Sequence, residues 1–401
     1  MNKNIANLKG FRDFLPQDAL KREWLKSQIL SVFKLWGFDP METPTLEPLE
    51  LFAGQIGEDE KLFYKFTDNG DREVALRYDQ TVPTCRVVGQ NAQNLPMPFR
   101  RYQIQPVFRA ENTQKGRYRE FLQCDADIFG ESSNLADAEV IALSLDIYRK
   151  LGFKNARVLV NDRSLLKDVP YEAIVAVDKL KKIGEEGVIS DMVKKGIEPD
   201  EARKYLEFFK NLTPNETIET IFDYLRKMGF DESNFVFEPT LARSFSYSTG
   251  PIWEVEINGS IGGSVLGGER FDALVEGVSG AKIPATGFGL GFDRTLEALE
   301  EAGLVPSFST NTRVLVTVFN EEMYEKSLEI VNLLRKNGVP SEIYPSKDVK
   351  LDKQLKYANR KGIMYVVVIG PEEAERDKVS LKNMMTGERT EIEIASLPSL
   401  F

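Results

Sequence analysis

The 401-residue chain contains no histidine. That absence excludes Ser-His-Asp catalysis, imidazole-ligated metals and the side chain that ordinarily changes charge near neutral pH. Any chemistry must therefore run on arginines, carboxylates and groups that a substrate brings. Cysteine is nearly as scarce: Cys85 and Cys124 are too few for a disulfide framework or a cysteine metal cluster. A reducing, cytoplasmic location follows as the expectation. No apolar run is long enough to cross a bilayer, and the N-terminal "MNKNIANLKGFRDFLPQ" lacks the apolar segment of a secretory signal, so no membrane partner is expected. Positive charge is also in deficit. A formal net charge of -10 argues against loose nucleic-acid binding and leaves room only for a local basic groove.

What remains is ordinary for a folded globular chain, with 42% hydrophobic and 28% charged residues. Leu25, Ile29, Val32 and Trp36 recur at helical spacing over residues 17 to 36, and Gly37 ends that helix. "REVALRYDQT", "RYQIQPVFRAE" and "GRYREFLQCDADIFG" read as strands without intervening helices, which predicts an antiparallel sheet. Residues 165 to 236 turn charged and helix-forming, as an insertion would. "GFGLGFDRTLEALEEAG" then runs alternate glycines into a helix, "VPSFSTNT" (305 to 312) reads as a linker, and strands and helices alternate beyond it. The expected fold class is α+β. Its parts are a core from residues 1-164 and 237-304, a helical insertion at 165-236, a linker at 305-312 and an α/β domain at 313-401.

The chemistry concentrates in "FRAENTQKGRYREF", where Arg109, Lys115, Arg117 and Arg119 surround two acids. A solvated charged hairpin is the bland reading; an oxyanion clamp built from guanidinium forks is the sharper one. Alternation over 117 to 127 puts Arg117, Arg119, Phe121, Gln123, Asp125 and Asp127 on one face and Leu122, Cys124, Ala126 and Ile128 on the other. The first face runs from cations past an aromatic to carboxylates, an order that suits phosphate, then a ring, then a cationic group. Arg109 with Glu111, and Arg77 with Asp79 and Thr81, repeat the habit on neighbouring strands. Gly287, Gly289 and Gly291 also share a face, and Arg294 follows at a helix start, where peptide dipoles add to its field. Singly, each pattern is no more than a surface ion pair or a close packing contact; repeated on adjacent strands, they point to a site.

With "LKGFRDFLP", "ALRYDQTVP", "VNDRSLL", "LARSFSYSTG" and "LGGERFDALV" added, the chain resembles class II aminoacyl-tRNA synthetases, and among them the histidyl-tRNA synthetase family, over nearly its whole length. The resemblance implies a class II antiparallel sheet flanked by helices, a C-terminal anticodon-binding domain, ATP with Mg2+, and tRNA and histidine as partners. It also implies a homodimer formed through residues 17 to 44. Arg109 would hold the α-phosphate with help from Arg243. Arg117 and Arg294 would hold the outer phosphates, Glu111 the adenine amino group, and Phe121 would stack on adenine. Asp79, Thr81 and Gln123 would take the ammonium and carboxylate ends of the amino acid, and Asp127 would face the imidazole. No metal ligands are assigned. Where the family reads Arg-Gly-Leu-Asp-Tyr-Tyr, this chain has "RSFSYS", so Tyr247 is kept and Ser248 replaces the tyrosine that helps to bind the ring; Glu269 replaces a glycine. Whether Tyr247 or Glu269 takes over that contact stays open at this stage. So do two alternatives: a class II enzyme with altered amino-acid or acceptor specificity, and a non-catalytic paralogue like the regulatory subunit of ATP phosphoribosyltransferase.

Overall fold

The structure is a computed structural model and describes residues 5-54, 61-113, 116-243, 247-257 and 264-401. The chain divides into two compact units, one of residues up to 13 and 24-305, the other of 14-23 and 306-401.

In α1 (Pro16–Leu35), which passes into the first unit at Trp24, Leu25, Ile29 and Val32 are buried as the spacing predicts, and Phe33, which it did not name, is buried with them. Trp36 lies just past its end and donates to Asp146 (2.9 Å), and Gly37, at φ +74°, reverses the chain where a side chain would be strained. After β1 (Asp39–Pro40), a small sheet forms from β2 (Leu46–Pro48), β3 (Lys65–Thr67) and β4 (Glu73–Leu76). "REVALRYDQT" is not one strand as expected. β4 stops at Leu76 and α2 (Thr81–Asn91) starts five residues later. Arg77 turns inward, donating to the Thr43 carbonyl (2.7 Å), the Pro106 carbonyl (2.7 Å) and Gln105 Oε1 (2.9 Å). Asp79 accepts the Val82 N–H (3.1 Å) at the new helix's start. Side chains bonded to distant backbone break a strand in a way that period-two reading cannot see.

The main sheet adds β5 (Phe99–Phe108), β6 (Glu120–Phe129), β7 (Ala156–Asp162), β8 (Phe235–Phe237), β9 (Pro251–Ile257), β10 (Leu266–Arg270) and β11 (Ala285–Gly291), in the order β1-β5-β6-β11-β10-β9-β7-β8. Among the described residues only the two edge pairings are parallel. One face carries Cys124, Ala126, Ile128, Phe288 and Leu290 into an apolar layer shared with α3 (Asn134–Lys150). The other face is the polar one.

The helix-rich stretch 165-236 behaves as two things. α4 (Tyr171–Val177), α5 (Leu180–Lys194) and α6 (Pro199–Lys210) gather around Ile174, Met192, Leu206 and Phe209 in a cluster of their own, which also takes in Ala242. α7 (Glu216–Lys227) instead sends Ile218, Ile221 and Leu225 into the main core, and β8 pairs with β7. α8 (Asp272–Ser279) and α9 (Phe292–Glu301) complete the unit. In the second unit, β12 (Val314–Val316), β13 (Ser341–Ile343) and β14 (Tyr365–Val368) are parallel, and β15 (Lys378–Asn383) and β16 (Arg389–Glu393) extend the sheet antiparallel. α10 (Tyr324–Lys336), α11 (Leu351–Lys361) and α12 (Pro371–Glu375) supply the helical layers.

Candidate active site

On the polar face of the main sheet, register decides who meets whom. β11 sets Gly287 opposite Asp127, Gly289 opposite Asp125 and Gly291 opposite Gln123. On its other side it sets Gly287 opposite Glu269 and Gly289 opposite Gly267. Cross-strand partners share a face, so a glycine row runs between polar neighbours. Those neighbours lie across it. A Cβ at Gly287 would fall 1.8 Å from Asp127 Oδ1, at Gly289 2.7 Å from Gln123 Nε2, and at Gly267 1.8 Å from Arg243 Nη1. The glycines form the floor of a cavity of about 290 Å³.

One end of that cavity is cationic. Arg109 lies over the rings of Tyr78 (4.3 Å) and Phe121 (5.3 Å) and donates to the Tyr78 carbonyl (3.2 Å), which fixes the plane of its fork. Arg117 is exposed and lies 3.3 Å from Glu111. Arg294, in the first turn of α9, donates to the Ser264 carbonyl (2.6 Å); burial, and then the nearness of Arg117, pull its pKa down. Arg243 arrives differently. Its backbone has φ +43°, a conformation that costs about 1 to 3 kcal/mol outside glycine. The preceding Ala242 is packed in the apolar cluster of α4, α5 and α6, and the Asp178 carboxylate accepts the Arg243 N–H. Its guanidinium sits 3.3 Å from Glu269 and 3.8 Å from Glu254. Burial lowers its pKa, but Glu269 and Glu254, with Tyr247 and Asp178, together outweigh burial and raise it.

The other end is acidic and dry. Asp127 is ion-paired with the buried Arg101, yet burial pushes its pKa up to about 6. Burial likewise takes Asp125 to about 8 and raises Asp79. Tyr247 closes this end, its phenol pushed well up by burial. Carboxyls this crowded and desolvated keep their charge only beside a cation, so this end suits a ligand carrying an ammonium group or a protonated ring.

Family models for histidyl-tRNA synthetase and for an anticodon binding domain match residues 10-185 and 313-401. The histidine-tRNA ligase of Cytophaga hutchinsonii is 35% identical, with 96% of each chain covered. That of Wolinella succinogenes is 37% identical over 95% of this chain and 94% of its own. The chain belongs to the histidyl-tRNA synthetase family. The crystal structure of the histidyl-tRNA synthetase of Nostoc sp. PCC 7120 superposes with a TM-score of 0.84 at 28% identity, covering 99% of this chain and 98% of that one.

For a histidyl-tRNA synthetase fold, the residues expected from sequence meet in one place. Arg109, Glu111, Arg117, Phe121, Arg243 and Arg294 line the cationic end, and Asp79, Thr81, Gln123, Asp127 and Tyr247 the acidic one. Ser248 differs. It is buried, is absent from the cavity lining, and donates its hydroxyl hydrogen bond to Glu269. Arg77 and Arg119 also leave the expected polar face, Arg119 donating to the Glu111 carbonyl (3.1 Å). Lys115, Ser244, Phe245 and Ser246 lie outside the described residues. Sequence reading missed Arg101, Glu254 and Asp293. Arg101 carried a legible signal, because Arg101, Gln103 and Gln105 alternate along β5 and face Asp127, Asp125 and Gln123; Glu254 and Asp293 had none.

Proposed function

We propose that this cavity activates histidine with ATP and passes the histidyl group to the 3'-terminal ribose of tRNA. The observation that carries the reading is the cavity's polarity: arginines at one end and desolvated carboxyls at the other, joined by a glycine floor, in a chain of the histidyl-tRNA synthetase family. In the first step the carboxylate of histidine attacks the α-phosphorus and pyrophosphate leaves. In the second, a ribose hydroxyl of tRNA attacks the acyl carbon and AMP leaves. Both steps need alignment and stabilisation of phosphoryl charge more than a side-chain base, which fits a chain without histidine. Arg109 and Arg243 act at the α-phosphate, and Arg117 and Arg294 on the outer phosphates. Phe121 and Glu111 hold adenine. Asp79, Thr81 and Gln123 hold the ammonium and carboxylate of the amino acid, with Asp127 and Tyr247 at its side chain.

Among the described residues no group of three or more acidic or thiol side chains is placed to hold a metal, so these residues do not form a dedicated Mg2+ cage. Mg2+ in this reading arrives on the phosphates of ATP, its usual mode. The anticodon-binding domain at 313-401 grips tRNA, and α1 with β1 forms the seam of a homodimer. Two buried cysteines that form no disulfide suit the cytoplasm, and among the described residues no helix is long and apolar enough to cross a membrane.

The test is pyrophosphate exchange into ATP with each of the twenty amino acids, beside an Arg243→Ala control. Histidine-dependent exchange that falls about 10²- to 10³-fold in the control is the expected result. Exchange with another amino acid reassigns the substrate, and none at all moves the protein to a regulatory role.

A further inference from the structure

The wall opposite Asp127 is made by a buried carboxylate that the mechanism above does not use. Glu269 is 5% exposed, and its register partner Gly287 has Asp127 as its other partner. The two carboxylates thus stand on one face of the sheet, two strand spacings or about 10 Å apart at the backbone, with no side chain between them. Asp127 leans over the intervening glycine, as the 1.8 Å approach of its Oδ1 to a Cβ there requires. Each is held by partners, Asp127 by Arg101 and Glu269 by the Ser248 hydroxyl on one oxygen and Arg243, at 3.3 Å, on the other. A carboxylate has about four lone-pair sites, so these partners fix Glu269 and still leave it able to accept from a ligand.

Resting on the reading of the site as one that activates histidine, we propose that Glu269, aimed by Ser248, is a specificity residue that accepts a hydrogen bond from the substrate's imidazole on the edge opposite Asp127. The ring then lies between the two carboxylates. An imidazolium, with an N–H on each edge, satisfies both acceptors at once. A side chain with a donor at one end only leaves a buried carboxylate unpaired, which is a strong basis for rejection. Ser248 and Glu269, two of the departures from the family pattern, are on this view one change, since they are bonded to each other: the short serine supports the residue that reaches the ring.

Pyrophosphate exchange separates this from a bracing role for Glu269. It is measured with histidine and with histidine methylated on one or the other ring nitrogen, for the unmodified protein, Glu269→Gln, Glu269→Ala and Ser248→Ala. The unmodified protein is expected to use histidine and neither methylated form. Loss of a charged hydrogen bond in E269Q should raise the KM for histidine at least about ten-fold, leaving the KM for ATP unchanged. E269A should admit one methylated histidine, and S248A should shift the histidine KM the same way by less. Where a variant turns over too slowly, calorimetric titration with histidine gives the same comparison. If kcat falls at an unchanged histidine KM and both methylated forms stay excluded, Glu269 only braces Arg243 and the inference is wrong. Histidine-dependent exchange in the unmodified protein with unchanged KM in E269Q overturns this inference alone; no histidine-dependent exchange in the unmodified protein overturns the functional reading and this with it.

Discussion

In the sheet of the second unit, β12 reads Val-Leu-Val and β14 Tyr-Val-Val-Val, and helices cover both faces of these strands. In the main sheet, β6 and β10 bury Gln123, Asp125, Asp127 and Glu269 on the face that bears the cavity. The second unit has buried polar groups as well, Thr317, Ser327 and Gln354, but they are neutral and satisfied by backbone. Gln354 donates to the Val318 and Val349 carbonyls (both 2.7 Å) and accepts the Val318 N–H (2.9 Å). Ser327 donates to the Thr317 carbonyl (2.9 Å), and Thr317 to that of Val367 (3.0 Å). A neutral buried group with backbone partners has done its work within the fold. Buried carboxyls whose pKa values climb because they are dry and crowded are poised for something that is not part of the chain.

Three experiments break or sharpen that contrast. The largest effect is expected from Gly267→Ala in the main sheet. The new methyl would stand 1.8 Å from the Arg243 guanidinium, the far end of a flexible side chain, so the arginine moves while the backbone need not. Histidine-dependent exchange should fall about 10²- to 10³-fold with little change in melting temperature; a large melting change with exchange intact would contradict the proposed role of the glycine floor. Leu334→Ala in α10, buried beside Val314, Val316 and Ile330, should do the reverse. It should lose about 2 to 5 kcal/mol of stability in denaturant unfolding, while the exchange rate at 25 °C stays as it was.

The smallest effect is electrostatic. Asp125 has a folded pKa of about 8 against an ordinary 3.8, so the folded protein keeps a proton that the unfolded chain releases. The folded state then binds more protons than the unfolded one between these values, and the stability contributed by this group, full below about pH 4, is lost as pH rises towards 8. Asp125→Asn removes that loss. Melting curves should show the variant gaining on the unmodified protein by a few degrees from pH 5 to pH 8; a constant gap would mean that Asp125 is not held neutral.

Legibility followed the reach of the interactions. The helix over residues 17 to 36 and the two faces of β6 were readable because each rests on a repeat between near neighbours in sequence, 3.6 or 2.0 residues. The end of β4 was not, because Arg77 is drawn off by carbonyls at Thr43 and Pro106. Nor was the split within 165-236: the amphipathic pattern of α7 says that it buries one face, and not that the partner is α3 and the main sheet rather than α4 to α6.

The sequence by itself determined the family, the α+β class, the alternation that separates core from ligand face, and which arginines and carboxyls are available for chemistry. Only the tertiary structure decided that Asp127 and Glu269, 142 residues apart in the chain, face each other across Gly287, that Ser248 supports Glu269 instead of lining the cavity, and that the cluster of α4 to α6 packs Ala242 while Asp178 accepts the Arg243 N–H. The reason is physical: periodicity records which way a side chain points, whereas the partner it meets is set by strand register and by the burial of charge, and both exist only once distant segments have packed.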